Sequence, residues 1–120
     1  MQMVPQRLQA LCDAFLSHLE RLVFPGGCFF ASVAAEFDTH PGPVKDKIAV
    51  IQGEWSGRLE RLISEAQTLG RLRAAEDPSQ LAFELNAYML MGNTAFVLHS
   101  DPAYLYQART AVIRRLEQAA

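Results

Sequence analysis

The amino-acid sequence predicts an all-α fold of about five helices packed as an antiparallel bundle. Apolar residues recur at spacings of three and four, whereas the period of two that marks a half-buried strand is absent. Breaks fall at PGG (residues 25–27), THPGP (residues 39–43), Gly70 and two Asp-Pro pairs. With 120 residues, of which 50% are hydrophobic and 20% charged, the chain has the size and composition of one globular domain, residues 1–120.

The first two predicted helices flank the stretch FPGGCFF. The first covers residues 5–24, and its apolar residues share one stripe: Leu8, Leu11, Phe15, Leu19 and Leu22. The second runs from residue 27 or 28 to residue 37 and ends before the HPGP turn, because proline cannot donate a backbone hydrogen bond and restricts the residue before it. The two glycines allow a sharp reversal between these helices.

The third and longest helix is predicted over residues 43–69. Its apolar stripe comprises Val44, Ile48, Ile51, Trp55, Leu59, Leu62, Ala66 and Leu69. At about 1.5 Å per residue this helix spans roughly 40 Å, the height of a small domain. Gly70 follows where a left-handed residue commonly ends a helix.

Two Asp-Pro pairs predict the starts of the last two helices. At Asp77-Pro78 and Asp101-Pro102 the carboxylate accepts amide hydrogens that have no partner within the helix, and proline occupies the first turn, where no amide partner exists. The fourth helix is predicted over residues 78–99 and the fifth over residues 102–119. Small residues such as Ala108 allow the fifth helix to pack closely on the fourth.

The fourth helix is apolar on nearly all sides, and this predicts a homodimer. A helix that is apolar all round must be covered all round, and in a chain of this size the internal core covers only one side. A second subunit is the simplest cover for the other side. The predicted dimer interface contains Leu85, Leu90, Val97, Leu105, Ala108, Val112 and Leu116.

Charge and cysteine usage exclude several classes of protein. The net charge is −2, so the chain has no basic excess for binding DNA by itself. Cys12 and Cys28 lie sixteen residues apart without a CxxC motif, which favours reduced thiols in the cytoplasm. The longest uncharged run, residues 85–100, is too short and too polar to predict a membrane span.

No catalytic, metal or cofactor site is predicted. The sequence has neither a GxxxxGK[ST] loop nor a GxGxxG turn, its three histidines are scattered, and its paired carboxylates lie on faces that look solvated. Cys28 would lie in the first turn of the second helix, where the helix dipole favours a thiolate. No histidine or lysine lies near Cys28 in the sequence to activate it, so a small packing thiol is the simpler interpretation.

The order of these segments resembles the C-terminal regulatory domain of TetR-type transcriptional repressors. The resemblance rests on the GGCFF helix start, the long helix with Trp55 ending in ERLISEAQTLGRLRAAEDP, the segment DPSQLAFELNAYMLMGNTAFVL and the closing Asp-Pro helix. It implies a domain that binds a small effector and dimerises through its last two helices as a four-helix bundle. In that family a separate N-terminal helix-turn-helix domain binds operator DNA, and nothing in this sequence resembles that domain.

Within this resemblance, FPGGCFF is interpreted as a hinge in the wall of an effector pocket. The pocket is predicted to be lined by Phe15, Leu19, Phe29, Phe30, Val33, Trp55, Leu59, Tyr88, Met89, Asn93 and Phe96. Most of these side chains are apolar and none is cationic, which favours an apolar or amphipathic effector over a phosphate or dicarboxylate. The same side chains would otherwise form an ordinary core.

Three hypotheses for function follow from the sequence. The first is the effector-binding and dimerisation domain of a bacterial TetR-like regulator, with no enzymatic activity. The second is a stand-alone helical homodimeric interaction module without a ligand. The third, a redox or electrophile sensor, depends wholly on Cys28.

Overall fold

The described part of the chain, residues 6, 7, 9, 10, 13 and 42–120 of a computed structural model, is helical and contains no strand. The complete helices are α1 (Pro43–Thr68), α2 (Pro78–His99) and α3 (Ala103–Ala119), and the five described N-terminal residues are also helical. The all-α prediction is confirmed, with three helices and a piece of a fourth described against the five predicted. The second predicted helix lies outside the described residues.

Local chemistry sets the helix boundaries where the sequence predicted them. Gly70 has a φ of +73°, so a left-handed glycine follows α1 as predicted. The Asp77 carboxylate accepts a hydrogen bond from the Ser79 backbone amide at 3.0 Å, and Asp101 accepts one from the Ala103 amide at the same distance. Each aspartate thereby satisfies an amide that has no partner within its helix.

The hydrophobic core forms where α2 packs against both α1 and α3. Leucine dominates this core, and each helix contributes several buried side chains: Leu59, Ile63 and Ala66 from α1, Leu81, Ala82, Leu85, Met89 and Phe96 from α2, and Leu105, Ala108, Val112, Leu116 and Ala119 from α3. The central position of α2 explains why its composition is so apolar, because two of its sides are covered by neighbouring helices.

The contact between α2 and α3 is close because small residues face each other. A Cβ atom built on Gly92 would lie 2.6 Å from the Ala108 Cβ and 3.3 Å from the Tyr104 carbonyl oxygen. No side chain fits at position 92 unless the two helices move apart. The predicted close packing of the last two helices at Ala108 is confirmed.

The connection between α1 and α2 is anchored to both neighbouring helices. Leu72 is buried in the core, and the Arg73 amide donates to the Ala119 carbonyl at the end of α3 at 2.8 Å. From α1, the Gln67 side-chain amide donates to the Arg73 and Glu76 carbonyls at 3.0 and 2.8 Å. The loop therefore ties the end of α1 to the end of α3.

The helical N-terminal residues reach the rest of the fold through two ion pairs. Arg7 pairs with Glu65 of α1, and Asp13 pairs with Arg109 of α3 at 3.2 Å. These side chains are largely accessible to solvent, so each pair contributes little to stability.

Candidate functional site

The predicted pocket residues divide into those the structure describes and those it does not. Phe15, Leu19, Phe29, Phe30 and Val33 lie outside the described residues, as does the FPGGCFF hinge. Of the described members, Trp55 and Tyr88 are half-buried, whereas the remaining four are buried: Leu59, Met89, Asn93 and Phe96. The pocket itself stays a prediction.

A polar bridge joins α1 and α2 at Trp55, one of the predicted pocket residues. The Trp55 indole Nε1 donates to the Asn86 Oδ1 at 2.5 Å, and the Asn86 Nδ2 donates to the Ser56 Oγ at 3.2 Å. The Asn86 amide thus acts as acceptor and donor at once, which fixes its orientation. A bridge of this kind sets the distance between the two helices at one point.

Asn93 lies on the same side of α2 as this bridge, whereas Tyr88 does not. Asn93 is two turns beyond Asn86, and only 3% of its surface is exposed. Tyr88 is two residues from Asn86, which turns it by about 200° around the helix, and four residues before Gly92, which faces α3. The structure therefore groups Trp55 with Asn86 and Asn93 and places Tyr88 on the α3 side of α2.

A small cleft lies at the end of α1, away from the predicted pocket. Its volume is about 30 Å³, and its lining includes Arg7, Leu62 and Glu65. A cleft of this size holds about one water molecule. It is too small for an organic effector.

Arg115 on α3 forms the most extensive ion-pair cluster of the described residues. Its guanidinium contacts Glu76 through two hydrogen bonds of 3.2 and 2.9 Å and contacts Glu84 through two of 3.2 and 3.4 Å. Arg73 adds a 3.2 Å contact to Glu76. The cluster connects the α1–α2 loop, α2 and α3.

The hydrogen bonds from Arg115 lower the pKa of Glu76 below its ordinary value against the opposing effect of burial, and Arg73 lowers it further. The hydrogen bonds that Arg115 donates to Glu76 and Glu84 raise the pKa of Arg115, so its guanidinium stays charged. Sequence reasoning missed this cluster. The sequence held one signal for the cluster, which was Glu84. Apart from His99, Glu84 is the single acidic or basic residue in the apolar segment that forms α2.

The outward face of α2 is apolar and exposed. Six residues form a band along this face, here called the outer stripe: Phe83, Ala87, Leu90, Met91, Thr94 and Leu98. Phe83, Met91 and Leu98 are 69%, 64% and 74% exposed. A contiguous apolar band of this kind marks an interaction surface.

The residues predicted for the dimer interface occupy two different environments. Leu90 and Val97 are exposed on α2, at 54% and 38%. The other five are buried inside the single chain, where α2 and α3 pack together: Leu85, Leu105, Ala108, Val112 and Leu116. These five side chains offer no surface to a partner, so an interface on α2 has to use the outer stripe instead.

The described residues contain neither a metal-binding cluster nor a membrane-spanning helix. Within residues 42–120 and the described N-terminal positions, no group of three or more histidine, cysteine, aspartate or glutamate side chains is placed to hold a metal ion. Over the same residues, no helix has both the length and the hydrophobicity needed to cross a membrane.

The fold and these surfaces define an all-α domain built around a central helix, one side of which is covered by neither of the other two described helices. A family model described as "Tetracyclin repressor-like, C-terminal domain" matches residues 4–112, and the chain belongs to this family. The family is regulatory rather than catalytic, and the resemblance seen in the sequence is confirmed. No curated protein matched the chain in a search.

Proposed function

We propose that the chain is the effector-binding and dimerisation region of a bacterial TetR-like transcriptional regulator, without catalytic activity of its own. Operator DNA would be bound by a separate helix-turn-helix domain. Membership of the tetracyclin repressor-like family supports the proposal. The observation that carries it is the outer stripe of α2, an apolar surface on the helix most central to the fold.

The outer stripe supports dimerisation on energetic grounds. Burying a large apolar side chain that was exposed contributes about 1.5–3 kcal/mol, and the stripe carries four of them: Phe83, Leu90, Met91 and Leu98. A twofold dimer buries each of these side chains twice, because both subunits use the same patch. Such a gain is large beside the stability of a small domain.

The bridge between Trp55 and Asn86 supports effector binding on the side of α2 that faces α1. A ligand that inserts beside Trp55 would compete with Asn86 for the indole hydrogen and would change the separation of α1 and α2. The predicted pocket residues of α1 and α2 that are buried are uncharged: Leu59, Met89, Asn93 and Phe96. An apolar or amphipathic effector suits these side chains better than an anion, which would lack a cation to neutralise it.

Dimerisation is tested by light scattering on the purified chain. We expect a dimer at micromolar concentration, and we expect Met91→Glu to shift it to monomer because a carboxylate in an apolar interface is costly to bury. Val50→Glu is the matched control, since Val50 is also more than half exposed but lies on α1. A wild-type chain that is monomeric would refute the proposed dimer.

Effector binding is tested by a thermal-shift screen that compares neutral amphipathic compounds with anions. Binding to the native state alone adds RT ln(1 + [L]/Kd) to the free energy of unfolding. We expect stabilising compounds among the neutral set and expect Trp55→Ala to abolish their shifts, measured against the variant's own Tm. Leu69→Ala, at an exposed position on the end of α1, should retain them. Stabilisation by anions only would contradict the proposal.

A further inference from the structure

The outer stripe of α2 reads the same in both directions along the helix. Its residues are Phe83, Ala87, Leu90, Met91, Thr94 and Leu98, so successive members are separated by 4, 3, 1, 3 and 4 positions. Their sizes follow the same order: large, small, large, large, small, large. The symmetry is centred between Leu90 and Met91.

From this symmetry we infer that α2 pairs antiparallel with α2 of a second copy, about a twofold axis that passes between Leu90 and Met91. The inference rests on the proposed dimer and specifies how its two central helices meet. In a twofold interface, residue i of one subunit faces residue j of its partner, and j faces i. With the axis between Leu90 and Met91, the residue numbers of two positions that face each other always add up to 181.

This register matches residue sizes across the interface. Phe83 faces the partner's Leu98, Leu90 faces the partner's Met91, and Ala87 faces the partner's Thr94. Small residues therefore meet on both sides of the axis, where they allow the helices to approach and leave room for the large side chains beside them. Val97, at the edge of the stripe, faces the partner's Glu84, whose carboxylate is already held by Arg115 within its own chain.

Other antiparallel registers that place small residues on small ones leave part of the stripe uncovered. An axis at Ala87 would place Leu98 opposite position 76, which precedes the start of α2 at Pro78. An axis at Thr94 would place Phe83 opposite position 105, which lies beyond the end of α2 at His99. Of these three registers, only the axis between Leu90 and Met91 gives every stripe residue a stripe residue as its neighbour.

Charge and area are compatible with this arrangement. The outer stripe contains no ionisable side chain, and antiparallel helices place opposite ends of their dipoles side by side. Phe83, Leu90, Met91, Val97 and Leu98 are between 38% and 74% exposed. Covering them would bury on the order of 500 Å² per subunit, or about 1,000 Å² in the dimer. That total reaches the lower limit for a specific interface before any contribution from α3.

Disulfide trapping tests the register directly. In a background with Cys12→Ser and Cys28→Ser, Ala87→Cys and Thr94→Cys are prepared separately and together, and each sample is oxidised with copper phenanthroline. We expect the double variant to form a covalent dimer and each single variant to remain uncrosslinked. Two copies of position 87 would be offset by about 10 Å along the helices, as would two copies of position 94, which is too far for a disulfide.

A second pair controls for non-specific oxidation. Gln80→Cys with Ala87→Cys has the same spacing of seven residues on an exposed face of α2, but its positions add up to 167 and should not crosslink. Within one chain neither pair can close, because seven helical residues span about 10 Å. A mixture of the two single variants, refolded together, should also crosslink, but in no more than about half of the chains, because random pairing of two subunits places half of them in mixed dimers.

The outcomes separate the register from the dimer itself. Efficient crosslinking of either single variant, or none in the double variant while light scattering still reports a dimer, would overturn the register and leave the proposed dimer standing. A monomeric wild-type chain would overturn both. Crosslinking that occurs in the double variant and in the mixture, but in no other sample, supports the axis between Leu90 and Met91.

Discussion

Replacing Gly92 with alanine tests whether the contact between α2 and α3 is as close as the structure shows. The added Cβ would lie 2.6 Å from the Ala108 Cβ, whereas non-bonded carbon atoms prefer separations of about 3.5–4.0 Å. The shortfall is about 1 Å. The second neighbour, the Tyr104 carbonyl oxygen at 3.3 Å, belongs to the backbone of α3 and cannot turn aside as a side chain can. The helices must therefore separate.

Two opposing effects determine the size of the change. Overpacking a well-filled core costs about 1–3 kcal/mol. Alanine is a better helix former than glycine by about 0.8–1.0 kcal/mol, which offsets part of this cost. We expect Gly92→Ala to lower the free energy of unfolding by up to about 2 kcal/mol. Gly53→Ala is the matched control, since Gly53 lies within α1 and its added Cβ meets nothing within 4 Å. The control should stabilise the chain by about 0.5–1 kcal/mol.

Urea denaturation followed by circular dichroism measures both variants at one protein concentration, because the stability of a dimer depends on concentration. Because the gain in helix propensity applies to both substitutions, the free energies of unfolding of the two variants should differ by the overpacking cost, about 1–3 kcal/mol, with Gly92→Ala the less stable. Ala108→Gly should restore part of the loss when combined with Gly92→Ala, because it removes the atom with which the new Cβ collides. If Gly92→Ala stabilised the chain as much as Gly53→Ala does, the close contact would not exist in solution.

Three further substitutions examine the polar contacts. Arg115→Met should lower the free energy of unfolding, measured by urea denaturation, by about 2 kcal/mol. This is less than the loss of a fully buried ion pair, because the Arg115 and Glu76 side chains are 16% and 12% exposed. Adding Glu76→Gln to Arg115→Met should recover part of the lost stability. The pKa of Glu76 is lowered in the folded state, so the stability that this carboxylate contributes is present above its unfolded pKa and is lost as pH falls through its folded pKa. Wild type should therefore lose more stability in acid than Arg115→Met. Equal losses would contradict the lowered pKa of Glu76. Asn86→Ala should cost about 1–2 kcal/mol and alter the fluorescence of Trp55, the single tryptophan, and an unchanged spectrum would argue against the bridge. Asp77→Ala should lower Tm through the loss of about 1 kcal/mol, whereas Asp77→Asn, which keeps an acceptor oxygen, should not; equal effects would exclude a capping role.

Helix boundaries were predictable from the sequence because local chemistry determines them. The Asp-Pro pairs satisfy backbone amides within two residues, and Gly70 takes up a conformation that few other residues adopt. These interactions need no information from distant parts of the chain. The sequence therefore predicted that α2 begins at Pro78 and ends at about His99, and the structure confirms both.

The direction in which each face of α2 points could not be predicted in the same way. Because α2 is apolar on nearly all sides, hydrophobic periodicity does not separate Leu85, which is buried, from Leu90, which is exposed. The distinction arises from contacts between residues far apart in sequence, such as Gly92 with Ala108. The pairing of Trp55 with Asn86, 31 residues apart, was unpredictable for the same reason.

The contacts of α2 give its sides different freedom to move. Toward α3, small residues and backbone meet so closely that α2 and α3 cannot slide past each other. The two helices can move only together, as one unit. Arg115, which binds Glu84 as well as the loop residue Glu76, reinforces this unit. Toward α1, the side-chain bridge at Asn86 consists of two hydrogen bonds, and such bonds have a net worth of about 1 kcal/mol each. An effector that replaces them would shift α1 against the pair of α2 and α3, and the buried Leu59 and Ile63 of α1 would have to repack. The outer stripe would meanwhile hold that pair to its partner, so binding beside Trp55 would change the positions of the two α1 helices without opening the dimer.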